Sequence, residues 1–196
     1  INSPRPETDH LTPAERSVVL SAAGVPTIGT EMATSPHGEV LARSNTVMNG
    51  YWNQPDATDA AIMNGFFHTG DGGSIGDGHV LTISDRKKDV IISGGENVSS
   101  IEVEDALFSH PDVTEVAVIG IPDEKWGELV LGLVVKSSSS SLTEEELISY
   151  CRTKMAAYKC PKKIEFRTEL ARTATGKLQK FKLRAPYWDG YTKQVN

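Results

Sequence analysis

The sequence predicts an α+β protein in two parts, a β-rich first part and a second in which strands and helices alternate. Three observations predict it. Up to about residue 84 the apolar residues come in short runs broken by Asn-Gly and Gly-Asp-Gly, the punctuation of turns and hairpins. Beyond residue 90, strand-like runs at 113–121 and 129–136 alternate with helical stretches at 101–108 and from 143. Between the two textures lies Asp85-Arg86-Lys87-Lys88-Asp89, intensely charged and without an apolar anchor, as an exposed connection can be. A domain boundary is placed there, giving parts 1–86 and 87–196.

The elements follow in order. Residues 1–36 carry Pro, Thr, Ser and Glu and read as an irregular lead-in with one short helical run at 13–23. Residues 37–48 (HGEVLARSNTVM) have strand character and end at the turn pair Asn49-Gly50. Residues 55–63 read as a short helix with Asp56 and Asp59 near its positive end, stopped by Asn64-Gly65. Phe66-Phe67-His68 opens a strand, and two more follow about Gly76-Asp77-Gly78. In the second part, residues 90–92 form a strand, and the helix at 101–108 carries Ile101, Val103, Leu107 and Phe108. The serine run 137–141 is a polar loop. Thr143 and Glu146 stand at capping-box spacing for a helix reaching about residue 155. A strand at 164–166, a loop at 172–176 and a basic helix at 178–184 complete the second part.

Composition narrows the function. A net charge of -6 argues against a general polyanion binder. The basic clusters 86–88 and 177–184 have no aromatic platform beyond Phe181, so nucleic acid is not an expected partner. There is no apolar run of membrane-spanning length and no signal-peptide pattern. Cys151 and Cys160 form no disulfide framework and have no metal-ligand spacing, which fits a reduced, cytoplasmic protein. The first residue is Ile1 rather than Met, so a processed or truncated chain is the expectation.

Three motifs carry possible chemistry, each with a plainer reading beside it. His68-Thr69-Gly70-Asp71 puts a carboxylate at what reads as a strand end, where it can accept both hydroxyls of a ribose, or simply be a turn aspartate. Residues 85–104 (DRKKDVIISGGENVSSIEVE) combine the donor fork of Arg86 with Gly94-Gly95, which lets a ligand approach the main chain or makes a hairpin. Thr173-Ala174-Thr175-Gly176-Lys177 offers a lysine after a glycine-containing loop, either an anion binder or an ordinary surface lysine. It is not a P-loop, since no glycine stands five before Gly176 and Leu178 follows the lysine.

Taken together and in this order, these segments resemble the adenylate-forming superfamily of acyl-CoA synthetases, luciferases and peptide-synthetase adenylation domains. The signature regions are 68–71, 85–104 and 170–177, with family-like stretches NTVMNGYWNQP (45–55), VAVIGIPDEKWG (116–127) and YKCPKK (158–163) between them. The resemblance covers residues 38–185. The form IISGGENVSSIEVE is similar to fatty and related acyl-CoA synthetases, whereas peptide-synthetase domains carry a KxRGxRIExxEIE pattern.

The resemblance implies a β-rich remnant of a large N-terminal domain followed by a mobile α+β C-terminal domain. It implies that Asp71 and Arg86 bind nucleotide, that Lys88 is the hinge, and that Gly94, Gly95, Glu96 and Trp126 line the coenzyme A route. Lys177 takes the place of the catalytic lysine of adenylation. The implied reaction has two halves: a carboxylic acid, a fatty acid by subfamily, reacts with ATP and Mg2+ to give acyl-adenylate, which then passes to coenzyme A after the small domain rotates. The phosphate loop, adenine motif and acyl pocket lie upstream in the family, so this fragment alone is expected to be inactive and to depend on its own N-terminal domain. Two other readings are a ligase that loads a carrier protein, and a non-catalytic interaction module. Retention of Asp71, Arg86, Gly95 and Lys177 together argues against the latter. Neutralising Lys177 would remove the cation used in adenylation, which makes a lysine acetyltransferase a candidate partner. Three departures stand out: Ala171 where the family has proline, Gly72 where an apolar residue is usual, and a short stretch at 31–37.

Overall fold

The computed structural model describes residues 8–191. The chain divides into two compact units, Ile1–Lys87 and Lys88–Asn196.

In the first unit, helix α1 (Pro13–Ser21) starts at Thr12, whose hydroxyl accepts from the Glu15 N–H while the Glu15 carboxylate accepts from the Thr12 N–H. This capping box and Pro13 in the first turn satisfy or remove donors that a helix start leaves free. A single sheet follows, built from β1 (Thr30–Thr34), β2 (Glu39–Ser44), β3 (Ile62–Met63), β4 (Phe66–Ile75) and β5 (Leu81–Arg86), with α2 (Pro55–Ala61) before β3. Its order is β1-β2-β4-β3, with β5 paired to β4, all antiparallel.

Three expectations change here. The lead-in is not wholly irregular, because β1 pairs with β2 along its full length. The short stretch 31–37 closes as a tight turn, with the Gly38 N–H donating to Ser35 O and the Ser35 N–H to Glu39 O. Asp71 is not at a strand end: β4 runs on to Ile75, since β5 pairs with its second half. A side chain at Gly73 would meet Thr82 O at 2.5 Å and the Val40 side chain at 2.9 Å, so the glycine texture that reads as a turn is what lets two strands and Val40 close up. Among the described residues of this unit, Val40 and Leu81 are the buried apolar side chains, while Trp52 is 88% exposed.

The second unit holds the larger core. Its sheet centres on β9 (Gly127–Lys136), with β8 (Val113–Asp123) antiparallel on it, β10 (Lys163–Phe166) parallel to it, and β6 (Ile91–Ser93) touching it at Ser93 and Gly127. Outside β6 lies β7 (Glu96–Val98), which the sequence reading did not foresee. Side chains alternate across β8 and β9, and both faces are covered. Val118, Val130 and Val134 pack with α3 (Ser100–Phe108) and α4 (Glu144–Arg152) in one cluster, which includes Val103, Leu107, Leu147 and Ile164. Ala117, Ile119, Leu131 and Leu133 face the other way, against Leu170, Leu178, Leu183 and Tyr187 of the C-terminal segment.

Helix α4 has the expected capping box between Thr143 and Glu146. The last helix, α5 (Lys180–Arg184), starts two residues later than the expected basic helix at 178–184, because Leu178 is bridged to Arg172 in extended pairing. Cys151 and Cys160 are free and buried in the first cluster, and burial together with the neighbouring Cys160 pushes the Cys151 thiol up to about 12. Such a thiol is neither a ready nucleophile nor a metal ligand at neutral pH.

Candidate functional site

In the first unit the sheet places Asp71 on β4 directly opposite Arg86 on β5, and Arg86 Nε donates to Asp71 Oδ1 at 3.2 Å. Both side chains keep substantial exposure, so the carboxylate and the guanidinium can each still reach a ligand. A carboxylate with an adjacent donor fork suits a vicinal diol, which both gives and accepts hydrogen bonds.

Sequence reasoning missed the group that shapes this pair. Glu39, 7% exposed, accepts from the Gly70 N–H at 3.0 Å and from Lys87 Nζ at 3.2 Å, and its Oε2 lies 3.1 Å from His68 Nδ1. It thereby links β2 to the residue before Asp71 and to the residue after Arg86. No periodicity marks it, since Val40 beside it is buried too. Burial alone would push the Glu39 carboxyl up. The hydrogen bonds from His68, Lys87 and Gly70 outweigh that and hold it below the ordinary glutamate value of 4.5. A carboxyl whose folded value is depressed stabilises the fold above its unfolded value, and that contribution is lost as pH falls through the folded one. Urea midpoints of the chain are therefore expected to drop on acidification below pH 4.5 more steeply than those of Glu39→Gln. Parallel curves for the two proteins would remove Glu39 from this role.

In the second unit, Gly94 and Gly95 form the two-residue turn between β6 and β7, with φ of 62° and 85°. Positive φ at both positions is the geometry that favours glycine in a tight hairpin. The plainer reading of this pair, a hairpin, is thus met, and the turn is also pressed against an aromatic ring. A Cβ on Gly94 would lie 2.8 Å from the Trp126 ring, and the Gly94 N–H donates to Trp126 O at 2.8 Å. Asp123 Oδ1 accepts from the N–H groups of Lys125 and Trp126, fixing the turn that presents the indole. Trp126 remains 39% exposed, with Lys125 Nζ 5.1 Å and Lys162 Nζ 5.8 Å from its ring centre. A pocket of about 220 Å³ opens here among Ser93, Gly94, Glu96, Trp126, Tyr158 and Lys162. Tyr158 and Lys162 belong to the YKCPKK stretch, to which the sequence reading gave no role.

Lys177 occupies a separate place. Its loop is bonded to itself: Thr173 N–H to Lys177 O at 2.8 Å, Gly176 N–H to Thr173 O at 2.9 Å, and Lys177 N–H to Thr173 Oγ1 at 3.0 Å. Ala171, where proline was expected, uses its carbonyl to accept from the Gln179 N–H. The Lys177 side chain is exposed, and among the described residues no carboxylate or carbonyl takes its ammonium. Lys88 opens the second unit, within a short 3-10 turn at Lys87–Asp89, and its carbonyl accepts from Arg184 Nη1 at 2.8 Å. Among the described residues there is no group of three or more His, Cys, Asp or Glu able to hold a metal ion. Nor is any helix among them long and apolar enough to cross a membrane.

Comparison with known proteins agrees with this architecture. Residues 102–177 match the family model described as the AMP-binding enzyme C-terminal domain. The chain is 48% identical over 150 residues to the long-chain-fatty-acid–CoA ligase FadD13 of Mycobacterium tuberculosis, covering 76% of this chain and 30% of the relative. It is 46% identical over 147 residues to the 2-succinylbenzoate–CoA ligase of Bacillus cereus, covering 75% and 30%. ATP-bound MatB from Rhodopseudomonas palustris superposes with a TM-score of 0.82 at 33% identity, over 88% of this chain and 37% of that one. Fold and comparisons define the class as an α+β domain of the type that ends AMP-binding enzymes. The chain belongs to the adenylate-forming superfamily. It spans about a third of the length of the relatives it matches.

Proposed function

We propose that this chain is the C-terminal part of an ATP-dependent acid–CoA ligase, and that its two units carry three places used in turn. Asp71 and Arg86 hold the ribose of the nucleotide. Lys177 places its ammonium between the carboxylate and the α-phosphate during adenylation, stabilising charge that grows in the transition state rather than moving a proton. The turn at Gly94-Gly95, with Glu96 at its edge, lets a thin chain pass beside the backbone, while Trp126 and Tyr158 offer faces to a base and Lys125 and Lys162 offer charge to phosphates. Lys88 is the pivot that exchanges the last two places. Mg2+ enters with the ATP.

The observation that carries this reading is the contrast within one small unit. A self-bonded loop presents an ammonium with no partner among the described residues, and a separate glycine turn lies under an exposed indole flanked by lysines. One arrangement suits a phosphate and carboxylate, the other a nucleotide-bearing thiol. That second arrangement favours coenzyme A over a carrier protein as acceptor. A fatty acid is proposed as the acid because the GGEN segment has the fatty acyl-CoA synthetase form, and a cytoplasmic location because both cysteines are free thiols.

The test is to express the complete enzyme and measure acid-dependent ATP–pyrophosphate exchange over a panel of carboxylic acids, then acyl transfer to free coenzyme A and to a carrier protein. Exchange followed by transfer to coenzyme A is the expected result. Exchange with transfer only to the carrier protein would replace the acceptor, and no exchange with any acid would remove the ligase reading.

A further inference from the structure

The hydrogen bonds inside the loop 172–178 set its shape, yet they leave its direction relative to the sheet to other contacts. Arg172 supplies such a contact. Its guanidinium donates through Nη2 at 2.6 Å and Nε at 3.2 Å to Glu115 Oε2 on β8, and through Nη1 at 2.8 Å to the Gly176 carbonyl. One planar fork thus joins a residue of the central hairpin to the peptide that directly precedes Lys177. Arginine suits this task because its donors point in fixed directions, whereas an ammonium is a single point of charge. The pair is exposed on both sides, and exposed ion pairs add little to folding. Its consequence falls on the loop.

We propose that Arg172, anchored by Glu115, is a positioning residue for Lys177, setting the direction in which the loop delivers its ammonium. The proposal rests on the adenylation role given to Lys177 and extends it to two residues that touch neither substrate. A loop freed to sample other directions spends less time in the productive one. Small misplacements of a catalytic group cost rate more than binding.

The experiment uses the complete enzyme with R172A, R172K, E115Q, K177A and the double variant R172A/K177A. Exchange, thioester formation from supplied acyl-adenylate, and the urea unfolding midpoint are measured for each. R172A is expected to lower kcat for exchange about ten- to a hundredfold, with the KM for ATP, the thioester step and the midpoint nearly unchanged. R172K recovers part of the loss, and E115Q loses less than R172A. The double variant is expected to be no slower in exchange than K177A, because Arg172 acts through the lysine. Unchanged exchange in R172A, equal loss in both half-reactions, or a further loss in the double variant would each overturn the proposal. Full exchange in K177A would instead remove the role of Lys177 itself, and with it the reason for positioning it.

Discussion

Replacing Lys177 by alanine in the complete enzyme is expected to reduce acid-dependent pyrophosphate exchange by about a hundred- to a thousandfold, the usual range for deleting one preorganised electrostatic contact in a transition state. Acyl-adenylate supplied ready-made should still be converted to thioester. The expectation follows from geometry. Among the described residues the ammonium has no carboxylate to neutralise it, and the loop bonds that end on Thr173 hold its backbone without using its side chain. The substitution therefore removes charge while leaving the fold nearly untouched, because an exposed side chain contributes little packing. If both half-reactions fall together, Lys177 serves the enzyme as a whole and the division of labour fails. Acetylation of the same amine belongs to this proposal and should imitate the substitution, since it removes the charge at the same atom.

The second large effect is expected at Gly94. Alanine there must adopt a φ near 62° and would place its Cβ 2.8 Å from the Trp126 ring, closer than real contacts allow. The left-handed conformation costs an L-residue about 1–2 kcal/mol, and the half-exposed indole is the part free to move. At Gly95, φ is 85° but nothing lies within 4 Å of a Cβ, so alanine there brings the strain without the collision. Gly94→Ala is therefore expected to raise the KM for coenzyme A at least about tenfold, an interaction loss of roughly 1.4 kcal/mol, with exchange retained. Gly95→Ala should do much less. Equal effects at the two positions would mean that the turn matters for its backbone alone and that Trp126 plays no part in the acceptor site.

Some of this was readable in the sequence and some was not, for physical reasons. The strands β8 and β9 announce themselves because both of their faces are buried, which turns alternation into almost unbroken apolar runs. Helix α4 is legible from Thr143 and Glu146, since capping is a local interaction. The strand β7 carries Glu-Asn-Val and has no period to read; it exists because the glycine turn folds it onto β6. Likewise β4 looks like a turn after His68, and only its pairing with β5 carries it through to Ile75. The candidate site residues divide the same way. Asp71, Arg86, Gly94 and Lys177 sit in short motifs, so resemblance finds them. Glu39, Tyr158, Lys162 and Arg172 acquire their interest from neighbours 31, 36 and 57 positions away and from a shared pocket, and no local pattern encodes that.

The hairpin of β8 and β9 imposes a timetable. Glu115, which grips the lysine loop, stands near one end of β8, and Asp123, which fixes the turn bearing Trp126, stands at the other. The eight-residue step between them spans about 26 Å at the rise of an extended strand. Nine consecutive cross-strand pairings, from Glu115 with Val135 to Asp123 with Gly127, and two buried faces make that span a stiff rod. In the proposed cycle, a rod of that length cannot bring both ends to one reaction centre at once. Acyl-adenylate, once made, must wait through a swing of the whole domain before a thiol can reach it, and the enclosure that protects it from water during that interval has to come from elsewhere in the enzyme.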